Sequence, residues 1–147
     1  MSRKKLKVGI IAAEHSGDRL GANLITSMKD LYEVELFGLG GPEVSKLGIF
    51  SPHNINYQDL QVMGLIDPLL NLRKLLTIRK KLFKLFLQKE IDIFIGVDSP
   101  DFNMFFHKKL KKIKVKTIQV VSPSVWGWRE NRIHAIGSHI DLTMCLF

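Results

Sequence analysis

Residues 95–103 read IGVDSPDFN, an apolar run that stops at two carboxylates, Asp98 and Asp101, with Ser99 and Pro100 between them. A partly desolvated carboxylate at such a boundary, facing a crevice, can take a proton from an attacking hydroxyl. It can equally act as a structural acceptor for the N–H groups of its own loop. Spacing alone leaves both roles open for Asp98, the candidate catalytic residue. Asp101 stands just before a helical run, where Asp is a preferred N-cap. Pro100 biases Ser99 toward extended backbone and helps to end the strand.

Three other stretches carry groups able to hold a substrate. In EHSGD (14–18), Ser16, Gly17 and nearby N–H groups can cradle an anion at the positive end of a helix. The alternative is plain capping of that helix by Ser16 or Asp18. The stretch is not G-x-G-x-x-G, so a dinucleotide fingerprint is absent. GLGG (38–41) is either a second anion cradle, through Gly40 and Gly41, or a tight turn that needs φ > 0. SPSVWGWRENR (122–132) offers Ser122, Ser124, Trp126 and Arg129. Aromatic faces suit sugar rings or acyl chains and an Arg fork suits phosphate, while the competing reading packs a tryptophan in the core. His134 and His139 lack metal-ligand spacing and read as ordinary helix residues. His15 lies in the candidate site with no positioned nucleophile beside it.

These groups must be positioned by an alternation of strand-like and helix-like runs. Strands are expected at 7–13, 34–41, 91–97, 116–121 and 141–147, and helices at 19–31, 69–90, 102–112 and 129–140. Such repetition implies an α/β fold, a doubly wound parallel sheet with helices on both faces. Ligands of such sheets bind outside the carboxyl ends of the strands. Those ends carry the four polar, glycine- or proline-containing stretches, which should converge on one rim.

The helix expected at 69–90 has an unusual surface. Ten apolar residues between Leu69 and Leu87 span an arc of about 200°, against about 100° needed for core packing. Arg73, Lys74, Lys80, Lys81 and Lys84 gather opposite. Val62, Met63, Leu65 and Ile66 add apolar residues upstream, and Pro68 marks the start of the helix or a break before it. A basic helix with a broad apolar face suits the surface of a membrane. The alternative is a two-sided core helix with a solvated basic stripe.

The chain has 147 residues, 46% hydrophobic and 24% charged, with a net charge of +8. That length fits one domain and can bury about 70% of its unfolded surface. The charge admits a solvated basic surface, an anionic membrane or nucleic acid. Nucleic acid would use the charge but has little use for so many leucines. The lone Cys145 excludes an internal disulfide, and the apolar run after the basic amino terminus is too short for a signal core. No run approaches the roughly 20 apolar residues of a membrane span. These features favour a cytoplasmic setting. Phe147 closes an apolar strand with nothing after it, the expectation for the front part of something longer.

AAEHSGDRLGANLI, GLGGPE, VMGLIDPL, IGVDSPDFN and VSPSVWGWR occur in this order. Together they resemble the amino-terminal part of lipid-A-disaccharide synthase, over about residues 6 to 147. The resemblance implies two Rossmann-like domains facing a cleft, the GT-B arrangement, with residues 1–147 as the acceptor-side domain and the UDP-sugar-binding domain missing. It implies an inverting glycosyltransferase of lipid A biosynthesis that joins UDP-2,3-diacylglucosamine to 2,3-diacylglucosamine 1-phosphate and releases UDP, with no metal and no cofactor. The setting implied is peripheral, on the cytoplasmic face of the bacterial inner membrane, with its anionic surface as a partner and no nucleic acid. Asp98 would deprotonate the 6-hydroxyl of the acceptor. Candidate substrate contacts are Glu14, Ser16, Gly17 and Asp18 in the first loop, Gly40 and Gly41 in the second, and Ser122, Ser124, Trp126 and Arg129 in the last. Candidate membrane or acyl contacts are Val62, Met63, Leu65, Ile66, Leu69, Leu72, Arg73, Leu75 and Leu76. The chain departs from the family pattern at Ala13, where glycine is usual, and in length, since the family runs more than twice as far. The fragment alone would lack most of the donor site. A noncatalytic membrane- or lipid-binding module is the alternative.

Overall fold

A computed structural model describes residues 2–60, 72–121 and 137–145. Strand β1 (Lys4–Ala12) is polar at its start and fully buried over its last five residues. Val8, Ile10 and Ala12 point into one apolar cluster and Ile11 into another, on the opposite face. Burial on both faces is what a continuous apolar run, rather than an alternating one, predicts for a parallel sheet. β2 (Tyr32–Leu39), β3 (Ile49–Phe50), β4 (Ile93–Val97), β5 (Lys116–Val120) and β6 (Leu142–Met144) complete the sheet. Its order is β3-β2-β1-β4-β5-β6, and every pairing is parallel. The expected doubly wound α/β fold is therefore observed.

Helix α1 (His15–Lys29) covers one face through Ala22 and Ile25, which pack with Val8, Ile10, Ile95 and Val97. It begins four residues before the expected 19, because Glu14 already has extended N-cap geometry and the Glu14 carbonyl accepts the Asp18 N–H at 2.7 Å. A single turn, α2 (Pro42–Ser45), follows β2. Helices α3 (Leu72–Lys89) and α4 (Pro100–Lys112) cover the other face. Phe86, Phe94 and Phe106 meet there with ring centroids 5.5 to 5.8 Å apart. All three are essentially inaccessible to water, each contributing about 1.5–3 kcal/mol. α3 lies so close to the sheet that a Cβ on Gly9 would stand 2.7 Å from Ile91 and 2.9 Å from the Phe86 ring.

Only a narrow stripe of α3 is buried: Ile78, Leu82, Leu85 and Phe86. Leu72, Leu76 and Leu87 remain exposed. The apolar surplus read from the sequence is thus real, with two of these three leucines in the first turns and Leu87 in the last. β3 and β4 are parallel, so α3, which joins them, runs the other way. Its first turns therefore lie toward the carboxyl ends of the strands. Lys74 marks this end by its 2.8 Å ion pair with Asp59, beyond β3.

Candidate functional site

β1 and β4 are neighbours, with Ala12 opposite Val97. After β1 the chain enters α1 on one face, and after β4 it enters α4 on the other. The two loops therefore diverge and open a crevice at the reversal of strand order. Asp98 follows directly on β4 at this crevice. A Cβ placed on Gly17 would lie 3.3 Å from Val97 Cγ1 and 3.6 Å from Asp98 Cβ, so the start of α1 abuts the acid. Glu14, His15 and Ser16 are exposed on the same rim, while Gly17 is buried beneath them.

The backbone at Asp98 is unusual. Asp98 and Ser99 both have left-handed φ, 55° and 38°, a conformation that costs a non-glycine residue about 1–3 kcal/mol. Ser99 is thus not extended, as Pro100 led one to expect. It is itself the N-cap of α4, with no side-chain cap, and Asp101 lies inside the first turn rather than capping it. The reversal is held by hydrogen bonds. The Asp98 N–H donates to Val120 O at 2.9 Å, and the Asp98 carbonyl accepts from Asn103 Nδ2 at 2.7 Å and Gln119 Nε2 at 3.0 Å. One carboxylate oxygen, Oδ1, accepts the Ser99 N–H at 3.0 Å. Asp98 thus satisfies a loop N–H, as the structural reading has it, and stands half-buried at the end of β4.

Asp18 behaves differently. It does not cap its own helix. Its side chain, 2% exposed, accepts the N–H groups of Glu43 at 2.8 Å and Val44 at 3.0 Å, across the rim. The anion at the amino end of α2 is therefore Asp18 itself. Gly41 permits the approach, since a Cβ there would lie 2.6 Å from Asp18 Oδ2 and 2.9 Å from the Tyr57 ring. A Cβ on Gly40 would lie 2.6 Å from Val44 Cβ. Gly40 and Gly41 also line a cleft of about 310 Å³ with Asn56 and Tyr57. Tyr57 meets His15 edge-on at 5.9 Å. Burial, with the Asp18 and Glu14 carboxylates nearby, raises the pKa of its phenol and keeps it protonated.

Sequence reasoning missed the polar network under Asp98. Asn103, His107 and Gln119 are at most 1% exposed. Gln119 Nε2 also reaches the carbonyls of Val120 and Val121, at 3.3 and 3.2 Å. With its amide donors so committed, Gln119 turns Oε1 to His107 Nε2 at 2.8 Å, which assigns the proton of the imidazole to Nε2. Burial lowers the pKa of His107 to about 4, so the ring is neutral. Gly96 leaves the room: a Cβ there would lie 2.8 Å from Gln119 Oε1 and 2.9 Å from Asn103. The available signal was Asn103 and His107, four residues apart on the same face of α4 as Phe106 and Leu110, together with a glutamine inside an apolar strand.

At the rim formed by α3, Leu72 and Leu76 are 46% and 51% exposed, and Arg73 is exposed between them. Leu75 instead packs partly against the core. Arg79 lies 5.3 Å from the rings of Phe102 and Phe105, tying α3 to the start of α4. Ser122, Ser124, Trp126, Arg129 and His134 lie outside the described residues, as do Val62, Met63, Leu65, Ile66 and Leu69. Among the described residues no three His, Cys, Asp or Glu side chains gather as metal ligands, and no helix is long and apolar enough to cross a membrane.

Comparison with known proteins gives a consistent result. A family model described as lipid-A-disaccharide synthetase matches residues 8–147. Lipid-A-disaccharide synthase of Pseudoalteromonas translucida is 43% identical over 145 residues, covering 98% of this chain and 37% of the relative. The enzyme of that name from Acinetobacter baylyi is 39% identical over 150 residues, covering all of this chain and 37% of the relative. Lipid-A-disaccharide synthase 2 of Legionella pneumophila strain Paris is 42% identical over 148 residues, with 100% and 38% covered. The chain thus spans little more than a third of the length of these curated relatives.

Proposed function

From the premise that this chain belongs to the lipid-A-disaccharide synthetase family, we propose that it forms the acceptor-side, Rossmann-like domain of a two-domain glycosyltransferase. The reaction joins UDP-2,3-diacylglucosamine to 2,3-diacylglucosamine 1-phosphate. The 6-hydroxyl oxygen of the acceptor attacks the anomeric carbon, the bond from that carbon to the β-phosphate oxygen breaks, and UDP leaves. Asp98 takes the hydroxyl proton as general base. The rim of Glu14, Ser16 and Gly17, with Gly40 and Gly41 beside it, borders the acceptor. Asp18 holds that rim together. The donor is bound by the part of the relatives that this chain does not span.

The observation that supports this reading best is the place of Asp98, at the crevice where the strand order reverses, with the start of α1 against it. The exposed pair Leu72 and Leu76 beside Arg73 favours a second element, contact with acyl chains or an anionic membrane surface at the cytoplasmic face. The same pair would serve a noncatalytic lipid-binding module. Sugar transfer separates the two. This chain, combined with the carboxyl-terminal remainder of a family member, should move radiolabelled sugar from the UDP donor to the acceptor. Vesicle flotation without any transfer would leave only the binding module.

A further inference from the structure

The left-handed pair Asp98–Ser99 is held from below; Asp tolerates this backbone, but Ser99 has no such tolerance of its own. Asn103 and Gln119 both donate side-chain N–H groups to the Asp98 carbonyl, and both are buried. His107 fixes the orientation of Gln119, because Nε2–H occupies the amide oxygen and leaves the amide nitrogen only carbonyls to face. We propose that Asn103 and Gln119, the latter oriented by His107, are positioning residues that lock the 98–99 turn and so aim the Asp98 carboxylate along the rim of α1. The inference rests on the reading of Asp98 as general base, since a turn that aims nothing would need no lock.

The carbonyl of a residue with φ near 55° points away from where an extended strand would send it. Without donors there, the turn would be free to sample ordinary β or αR backbone, at Ser99 above all, and the carboxylate would shift with it. The packing is closed to substitutes. Gly96 is the only residue type that fits between Gln119 Oε1 and Asn103, 2.8 and 2.9 Å from where a Cβ would stand. Asp98 therefore inherits its direction from two side chains that touch neither solvent nor substrate.

Two measurements test this. In the chain as it stands, Asn103→Leu or Gln119→Met should speed hydrogen exchange at the Asp98 and Ser99 amides at least tenfold while the amides of β1 keep their protection. In this chain joined to the carboxyl-terminal remainder of a family member, each change should lower kcat about ten- to a hundredfold with the KM for acceptor within twofold. Adding Ser99→Gly, which removes the side-chain penalty of the left-handed turn, should restore most of the lost kcat. Unchanged exchange at the turn, a raised KM with full kcat, or a kcat loss that Ser99→Gly leaves in place would each overturn the proposal. Asp98→Asn in the same enzyme keeps the two readings apart. Full activity there removes Asp98 as the base, whereas an inactive Asp98→Asn beside a fully active Asn103→Leu removes only the lock. Thermal midpoints are recorded for every variant, and the two anchors are independent, so one that fails to fold leaves the other to decide.

Discussion

Two acids stand near adjoining strand ends and do opposite things. Asp18 is fully buried, and both its oxygens are taken by backbone N–H groups of α2. Asp98 is anchored by its carbonyl instead, leaving the half-buried carboxylate with one backbone N–H. A carboxylate whose two oxygens both serve the scaffold holds elements together. A carboxylate whose backbone carries that load leaves more of its side chain uncommitted. The difference lies in which atoms of the residue are bound, not in the residue type.

The same substitution at the two positions is the sharpest way to break this contrast. Asp98→Asn in this chain joined to the carboxyl-terminal remainder of a family member should reduce turnover about 10²–10⁴-fold. It should hardly change the thermal midpoint, because Asn tolerates left-handed backbone and keeps an oxygen for the Ser99 N–H. Turnover within tenfold of the parent would place Asp98 on the scaffold side with Asp18. Asp18→Asn should instead cost about 2–4 kcal/mol in denaturant unfolding, since an amide NH2 would face one of the two α2 donors in a buried site. A loss below about 1 kcal/mol would mean that α2 does not depend on this cap.

Acid titration probes the layer beneath Asp98. The pKa of His107 is lowered to about 4 from an ordinary 6.5. Between these values the unfolded chain binds the proton that the folded chain refuses, so stability falls as pH drops from 6.5 to 4, by up to about 3 kcal/mol. Asp141 acts in the same direction at lower pH. Its pKa is lowered by the Thr117 N–H and by Lys111, so its contribution is lost as pH falls below the ordinary carboxylate value. His107→Phe should flatten the slope between pH 6.5 and 4; an unaltered slope would assign it to other groups.

The smallest expected effect overall is at the outer rim. Leu72→Ser with Leu76→Ser should change unfolding free energy by about 0.5 kcal/mol or less, since both side chains already face solvent. The pair should nonetheless weaken flotation with anionic vesicles severalfold. Unchanged flotation would make the exposed leucines bystanders.

The succession of strands and helices was legible in the residues, because a buried parallel strand and an amphipathic helix each impose a local period on apolar positions. While the fourth expected loop, 122–128, lies outside the described residues, the meeting of the loops after β1, β2 and β4 followed from that order. So did the excess apolar surface of α3, now seen at Leu72 and Leu76. Asp98 could be singled out for the same reason: a local boundary between apolar run and acid is written in neighbouring residues.

What the residues could not reveal was which hydrogen-bond partners each polar group would meet. Asp18 sits beside a helix start, and local rules offered it that helix. Its partners are 25 and 26 positions away and reach it only when α2 folds back over α1. Ser99 took a left-handed turn against the local bias of Pro100, because Asn103 and Gln119 hold the carbonyl before it. His107 and Gln119 meet only after α4 has packed beside β5. Periodicity is a property of the chain and is decided over a few residues. The satisfaction of buried donors and acceptors is a property of the packed interior, and there the tertiary structure chose which acid would be bound through its side chain and which through its backbone.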